Sequence, residues 1–330
     1  VRFIAMAFPL HPFIIGSSRL ITTTGPQVFH FTRVSRLTRR RDDNVARNDG
    51  DHIMPRPNLR FRHQALTGTL CVLLASFAAL VTMDARAQST ARVVDIPTRP
   101  GIAVRAIVLA PANPKAAVIL LAGGHGGLKI SPDGSMGWGS GNFLVRTREG
   151  FANQRLLVAV IDAPSDRQSY PFLTGHLRQA EEHTADLKAT IAWVRTNANV
   201  PVWLVGTSMG TLSAAHGAIE LQGAEGPDGI VLTSSILALK GGRPVPAMAL
   251  DRIRVPVLVI HHKNDQCRSC LFSEIPALTA KLVNSRRLEV VPFEGGRSQG
   301  DPCEARAHHG YNGIETDVVK QIADWISAKS

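Results

Sequence analysis

The chain is marked first by what it lacks. Residues 88–330 contain no internal repeat, no low-complexity tract and no sign of a second domain, which excludes a solenoid and points to one folded unit. Aromatic residues are scarce, at 5% of the sequence. Only four cysteines occur in 330 residues, too few for a disulfide-built scaffold. The turn Gly123-Gly124-His125-Gly126-Gly127 lacks the Lys-Ser/Thr ending of a phosphate loop and the spacing of a dinucleotide fingerprint, so nucleotide binding is set aside. Cys267-x-x-Cys270 lacks the second ligand pair that a zinc site needs, and its place after a late strand is wrong for a thioredoxin-like motif; no metal site is expected.

What is present is 44% apolar and 19% charged residues, the composition of a globular protein with ample core. A net charge of +11 invites a nucleic-acid reading, but the charge is uneven. Residues 1–87 carry 12 Arg and no Lys against 5 Asp, so they hold +7 and residues 88–330 only +4. The basicity belongs to the N-terminal segment, and no nucleic-acid partner is expected of the remainder.

From Met54 a basic stretch without acids precedes an uncharged run, Ala65 to Met83, and then Asp84-Ala85-Arg86-Ala87-Gln88, where Ala85-x-Ala87 fits signal-peptidase cleavage. Residues 54–87 are therefore expected to be a secretory signal peptide, giving a periplasmic or secreted protein without a stable membrane anchor. The alternative is an anchor, since about 19 uncharged residues just span a bilayer. Residues 1–53 read as a non-native or disordered extension. Cys71 falls inside the signal and does not make a lipoprotein site. Cys267, Cys270 and Cys303 remain, and an oxidising compartment allows one disulfide with one thiol over.

In residues 88–330 apolar runs alternate with amphipathic ones. Strands are expected at 92–96, 102–109, 115–122, 156–161, 201–205, 229–233, 255–260 and 287–291, the first two as a hairpin. Helices are expected at 142–153, 176–196, 211–221, 272–284 and 317–328. This alternation implies an α/β domain built on a mostly parallel eight-stranded sheet with helices on both faces.

The chemistry is carried by Val202 to Ala215, VWLVGTSMGTLSAA, which reads as strand, tight turn and helix with Ser208 at the apex. The flanking glycines let strand and helix pass close together. A serine nucleophile needs a base, a group to orient that base, and donors for the oxyanion. Asp265 follows strand 255–260, at the strand end where catalytic groups gather; Glu294 is the runner-up, with Asp228, Asp251 and Asp301 weaker. The base must come from the loop before the last helix, where His309, followed by Gly310, is preferred to His308. Imidazole can take and return a proton near pH 7. The oxyanion donors are expected to be the N–H groups of Met209 and Gly124, with His125 the alternative to Gly124. Cys267 lies two residues after Asp265 and Cys303 six before His309. If acid and base meet, those loops converge and a Cys267–Cys303 disulfide is possible.

Taken together, these residues resemble the α/β-hydrolase family over residues 92–328: Gly206-Thr207-Ser208-Met209-Gly210 after a strand, Asp265 after a later one, His309-Gly310 before the last helix, and the glycine turn at 123–127. More loosely, the chain is similar to exported bacterial α/β hydrolases that combine PVWLVGTS with a Cys after the acid and a Pro-Cys before His-Gly. It departs from many relatives in having Ala122, where they carry His, before the glycine turn. The resemblance implies a serine esterase-like hydrolase with a Ser208–His309–Asp265 triad, acting on a small ester-like substrate without metal or organic cofactor. It also implies a short cap, since only Ser234 to Ile253 is available between two late strands. A catalytically silent binding scaffold, or a peptidase or thioesterase using the same triad, is the alternative.

Overall fold

A computed structural model describes residues 90–240 and 242–328. The expected extension and signal segment, with Cys71, lie outside the described residues. Among the described residues no helix is long and apolar enough to cross a membrane.

The expected strands all form: β1 (Ala91–Arg99), β2 (Ile102–Leu109), β3 (Ala116–Leu121), β4 (Leu156–Pro164), β5 (Val202–Thr207), β6 (Gly229–Thr233), β7 (Val257–His262) and β8 (Leu288–Phe293). They make one sheet in the order β1-β2-β4-β3-β5-β6-β7-β8. β2 runs antiparallel to both neighbours, and every pairing from β4 to β8 is parallel. The central strands β3, β4, β5, β6 and β7 are buried along their whole length, which is why they read as continuous apolar runs. β8 alternates between exposed and half-buried positions, as befits an edge.

Among the described residues six helices follow: α1 (Phe143–Arg146), α2 (Arg148–Asn153), α3 (Glu181–Ala198), α4 (Gly210–Glu220), α5 (Ile275–Thr279) and α6 (Glu315–Ser327). One apolar layer holds α3 and α4 against one face of the sheet through Leu187, Ile191, Leu212 and Ala215. The other packs α1, α2 and α6 on the opposite face through Phe143, Phe151, Val318 and Ile322.

Three helices are shorter than the periodicity predicts. The 142–153 segment divides at Thr147, which leaves helical geometry at φ −102° and ψ 8°. The 176–196 segment begins instead as a 3-10 turn, Gly175–Gln179, and α3 starts only after Ala180, whose backbone is extended. The 272–284 segment keeps just five residues of α-helix. The described residues between β6 and β7 form an irregular segment with two 3-10 turns, Val245–Ala247 and Leu250–Arg252, and no cap domain among them.

Candidate active site

Parallel strands deliver their following loops to one end of the sheet, and each chemically interesting side chain lies on such a loop. After β5 the chain turns through Ser208 at φ +52°, a left-handed conformation that a residue with a Cβ occupies only under constraint. The constraint is visible. The Ser208 N–H donates to Thr233 O at 3.0 Å, while Ser208 O accepts from the Thr211 N–H at 2.9 Å and its hydroxyl at 2.6 Å. The turn closes because its glycines carry no Cβ: one on Gly206 would stand 2.4 Å from Gly210 O, and one on Gly210 2.0 Å from Leu121 O.

Asp265 lies in the turn after β7, buried to 4% exposure. Its Oδ1 accepts the Cys267 N–H at 2.9 Å. Its Oδ2 accepts from His309 Nδ1 at 2.8 Å. His309 sits on a 3-10 turn, His308–Gly310, ahead of α6. Of the two adjacent histidines only His309 reaches the acid; His308 Nδ1 pairs with Asn264 O, and its ring stacks on His262. With Nδ1 engaged, His309 Nε2 is buried without a partner among the described residues. Glu294, the runner-up acid, is held by Lys263 on the surface.

Ser208, Met209, Gly124 and His309 line one cavity of about 490 Å³. Gly124 has φ +57°, and a Cβ there would strike Trp138 at 2.5 Å; glycine is needed for both backbone and space. The His125 ring stacks between Trp138 and Phe172, and of the residues 123–127 it is Gly123 and Gly124 that line the cavity. Burial and the charges of Arg178 and Lys129 hold the His125 pKa below its ordinary value.

The expected convergence of the acid and base loops is completed by a Cys267–Cys303 disulfide with Cα atoms 4.6 Å apart. Cys270 is left as a buried free thiol.

Several supporting residues carry no signal in the sequence. Arg178 is fully buried without an ion-pair partner among the described residues, and desolvation pushes it down to about 9. It donates to Ala122 O at 2.9 Å, Gly124 O at 3.1 Å and Ser213 Oγ at 3.0 Å. It thereby holds the carbonyls of the glycine turn away from the cavity. Tyr311, at φ +57°, donates its hydroxyl to Ile260 O at 2.9 Å and accepts the Ser234 N–H at 3.0 Å. The Ser234 hydroxyl donates to His309 O at 2.7 Å. Asn142 lines the cavity beside Gly123 while its Oδ1 accepts the Leu144 N–H at 3.2 Å.

No protein-family model and no curated protein matches the sequence. Solved structures do. A Klebsiella pneumoniae protein provisionally named a dienelactone hydrolase is 13% identical, with 73% of this chain and 99% of that one covered at a TM-score of 0.53. An esterase of Pyrococcus furiosus is 15% identical, with 72% and 92% covered at 0.52. A dienelactone hydrolase of Anabaena variabilis is 17% identical, with 72% and 97% covered at 0.49. At such identities the first two define the fold alone: the chain has the α/β-hydrolase fold.

Proposed function

We propose that the protein is a serine hydrolase that cleaves a carboxylic ester, or a related acyl bond, of a small substrate through an acyl-enzyme. The observation that carries this reading is His309: one ring nitrogen is fixed by Asp265 at 2.8 Å, and the other is unpartnered at the cavity that Ser208 also lines. In this mechanism His309 Nε2 takes the Ser208 hydroxyl proton as Oγ attacks the carbonyl carbon, and Asp265 stabilises the imidazolium. The Met209 and Gly124 amides receive the oxyanion. Collapse expels the alcohol, which leaves with the His309 proton. Water then attacks the acyl-serine, giving up its proton to His309, and the acid departs as Ser208 regains its own. The sequence of steps needs no metal or cofactor.

A small substrate fits the cavity volume and the absence of a cap domain over it in the described residues. The walls come from Trp138, Asn142, Ile236 and Leu239, mixing apolar surface with one amide. Export is part of the same proposal and rests on residues 54–87; N-terminal sequencing of the protein recovered from producing cells tests it.

The decisive experiment combines a fluorophosphonate probe with p-nitrophenyl esters of graded acyl length. The wild type is expected to be labelled and to hydrolyse short esters, and Ser208→Ala to lose both, with activity down by on the order of 10⁴-fold or more. Absence of labelling in the folded wild type, or equal labelling of Ser208→Ala, would mean a binding scaffold instead.

A further inference from the structure

The sequence sets aside Cys267-x-x-Cys270 as a metal pair for want of a second pair of ligands. The fold brings that pair in as Cys303 and His309, six residues apart on the loop facing it. The Sγ atoms of Cys267 and Cys270 and a ring nitrogen of His309 lie within 4.8 Å of one another, and all three residues are buried. Cys303 is bonded to Cys267 in the structure and is exposed. In a tetrahedral zinc site, with Zn–S of about 2.3 Å and Zn–N of about 2.0 Å, neighbouring ligand atoms stand roughly 3.5 Å apart. Side-chain movement of about an ångström therefore brings these three buried donors to such separations, and Cys303, once released from Cys267, completes the set by turning inward from its exposed position.

Two further features suit a cation. His309 Nδ1 is held by Asp265, and Nε2 is buried and unpartnered. A carboxylate orienting one ring nitrogen while the other is free is the arrangement of metal-binding histidines. Cys270 has no part in the proposed hydrolysis.

We propose that reduction of the Cys267–Cys303 disulfide turns the meeting point of these loops into a site for a thiophilic divalent cation of the zinc class, held by Cys267, Cys270 and His309 with the released Cys303 thiol as fourth donor. A dithiol reductant supplies two electrons and two protons: the S–S bond breaks, Cys267 and Cys303 become thiols, and the reductant becomes a disulfide. The cation then displaces the thiol protons to solvent. Cys267, Cys303 and His309 all line the cavity, which gives the ion an entry path. The consequence for activity rests on the hydrolase reading: a cation on His309 removes the base, so the enzyme works oxidised and stops when reduced and metallated.

The full chain is reduced with a phosphine, desalted without air and titrated with Co²⁺, beside an oxidised sample. The reduced protein is expected to take up one cobalt per chain, with a thiolate-to-cobalt charge-transfer band and the intensified visible bands of a tetrahedral site, displaceable by zinc. The oxidised protein should show neither. Cys270→Ser and Cys303→Ser should each weaken binding by on the order of tenfold or more. Ester hydrolysis by the reduced protein should fall with one equivalent of zinc and return with a chelator. The spectra are independent of catalysis, so cobalt bands without esterase activity would sink only the hydrolase reading. A folded reduced protein without the charge-transfer band, or a band unchanged in Cys270→Ser, overturns the metal site. If reduction alone unfolds the chain, circular dichroism decides: refolding on zinc supports the site, and no refolding overturns it.

Discussion

Arg178 donates to the carbonyl of Gly124 at 3.1 Å from a fully buried position with no counter-ion among the described residues. A buried, uncompensated charge is destabilising, so its three acceptors are where its contribution must lie. Arg178→Met should leave stability within about 2 kcal/mol, because lost hydrogen bonds and relieved desolvation oppose each other. Hydrolysis should nevertheless suffer: a misplacement of about 1 Å in a catalytic group costs about 10²-fold. Urea unfolding and kcat measured on the same preparation check both halves, and full activity would show that the glycine turn holds its shape unaided.

Asp265→Asn preserves size while removing the charge that fixes the His309 tautomer. We expect kcat to drop by about 10⁴-fold with KM little changed. A drop below tenfold would assign the orienting role elsewhere.

Tyr311→Phe removes a hydroxyl that bridges the Ser234 N–H and the Ile260 carbonyl, two groups that keep their own hydrogen bond at 3.1 Å. Its phenol is buried and raised well above its ordinary pKa, so it serves as a neutral donor at all working pH values. With both partners still paired, the substitution should cost only about 0.5–1.5 kcal/mol in urea unfolding. Activity should fall as well, since Ser234 holds the His309 carbonyl.

His183 is buried and pushed down to about 3, by desolvation first and then by the charge of Arg178. An unfolded imidazole takes a proton at about pH 6.5. Between those values the unfolded chain binds a proton that the native one refuses, so stability falls as pH drops from about 6.5 toward 3. One such group gives a slope of up to about 1.4 kcal/mol per pH unit. His125 and His216 are shifted in the same direction, mainly by burial, so the wild type should decline more than one group explains. His183→Gln should flatten the decline in urea midpoint between about pH 7 and about pH 4.5; an unchanged curve would mean that His183 already accepts a proton in the native state.

The strands and the site loops were legible because their signals are local. Buried parallel strands appear as unbroken apolar runs, and the Ser208 turn, Asp265 and His309 each follow a strand or precede a helix at fixed offsets. Even the Cys267–Cys303 bridge followed from requiring Asp265 and His309 to meet. What could not be read was anything settled by distant backbone. Arg178 has helical neighbours in sequence, yet it lies on a 3-10 turn because its guanidinium is drawn to carbonyls more than 50 residues away. The 142–153 segment has helical spacing throughout, but two short helices form because the chain must bend at Thr147.

Trp138 and Asn142 reach the cavity from the segment between β3 and α1, and Ile236 and Leu239 from the segment after β6. None of these four stands on a strand, and none hydrogen-bonds to Ser208, Asp265 or His309 among the described residues. Ile236 and Leu239 are thus walls that can be exchanged to change what the cavity admits while the proposed Ser208–His309–Asp265 group stays in place, whereas Trp138 and Asn142 also pack against the glycine turn.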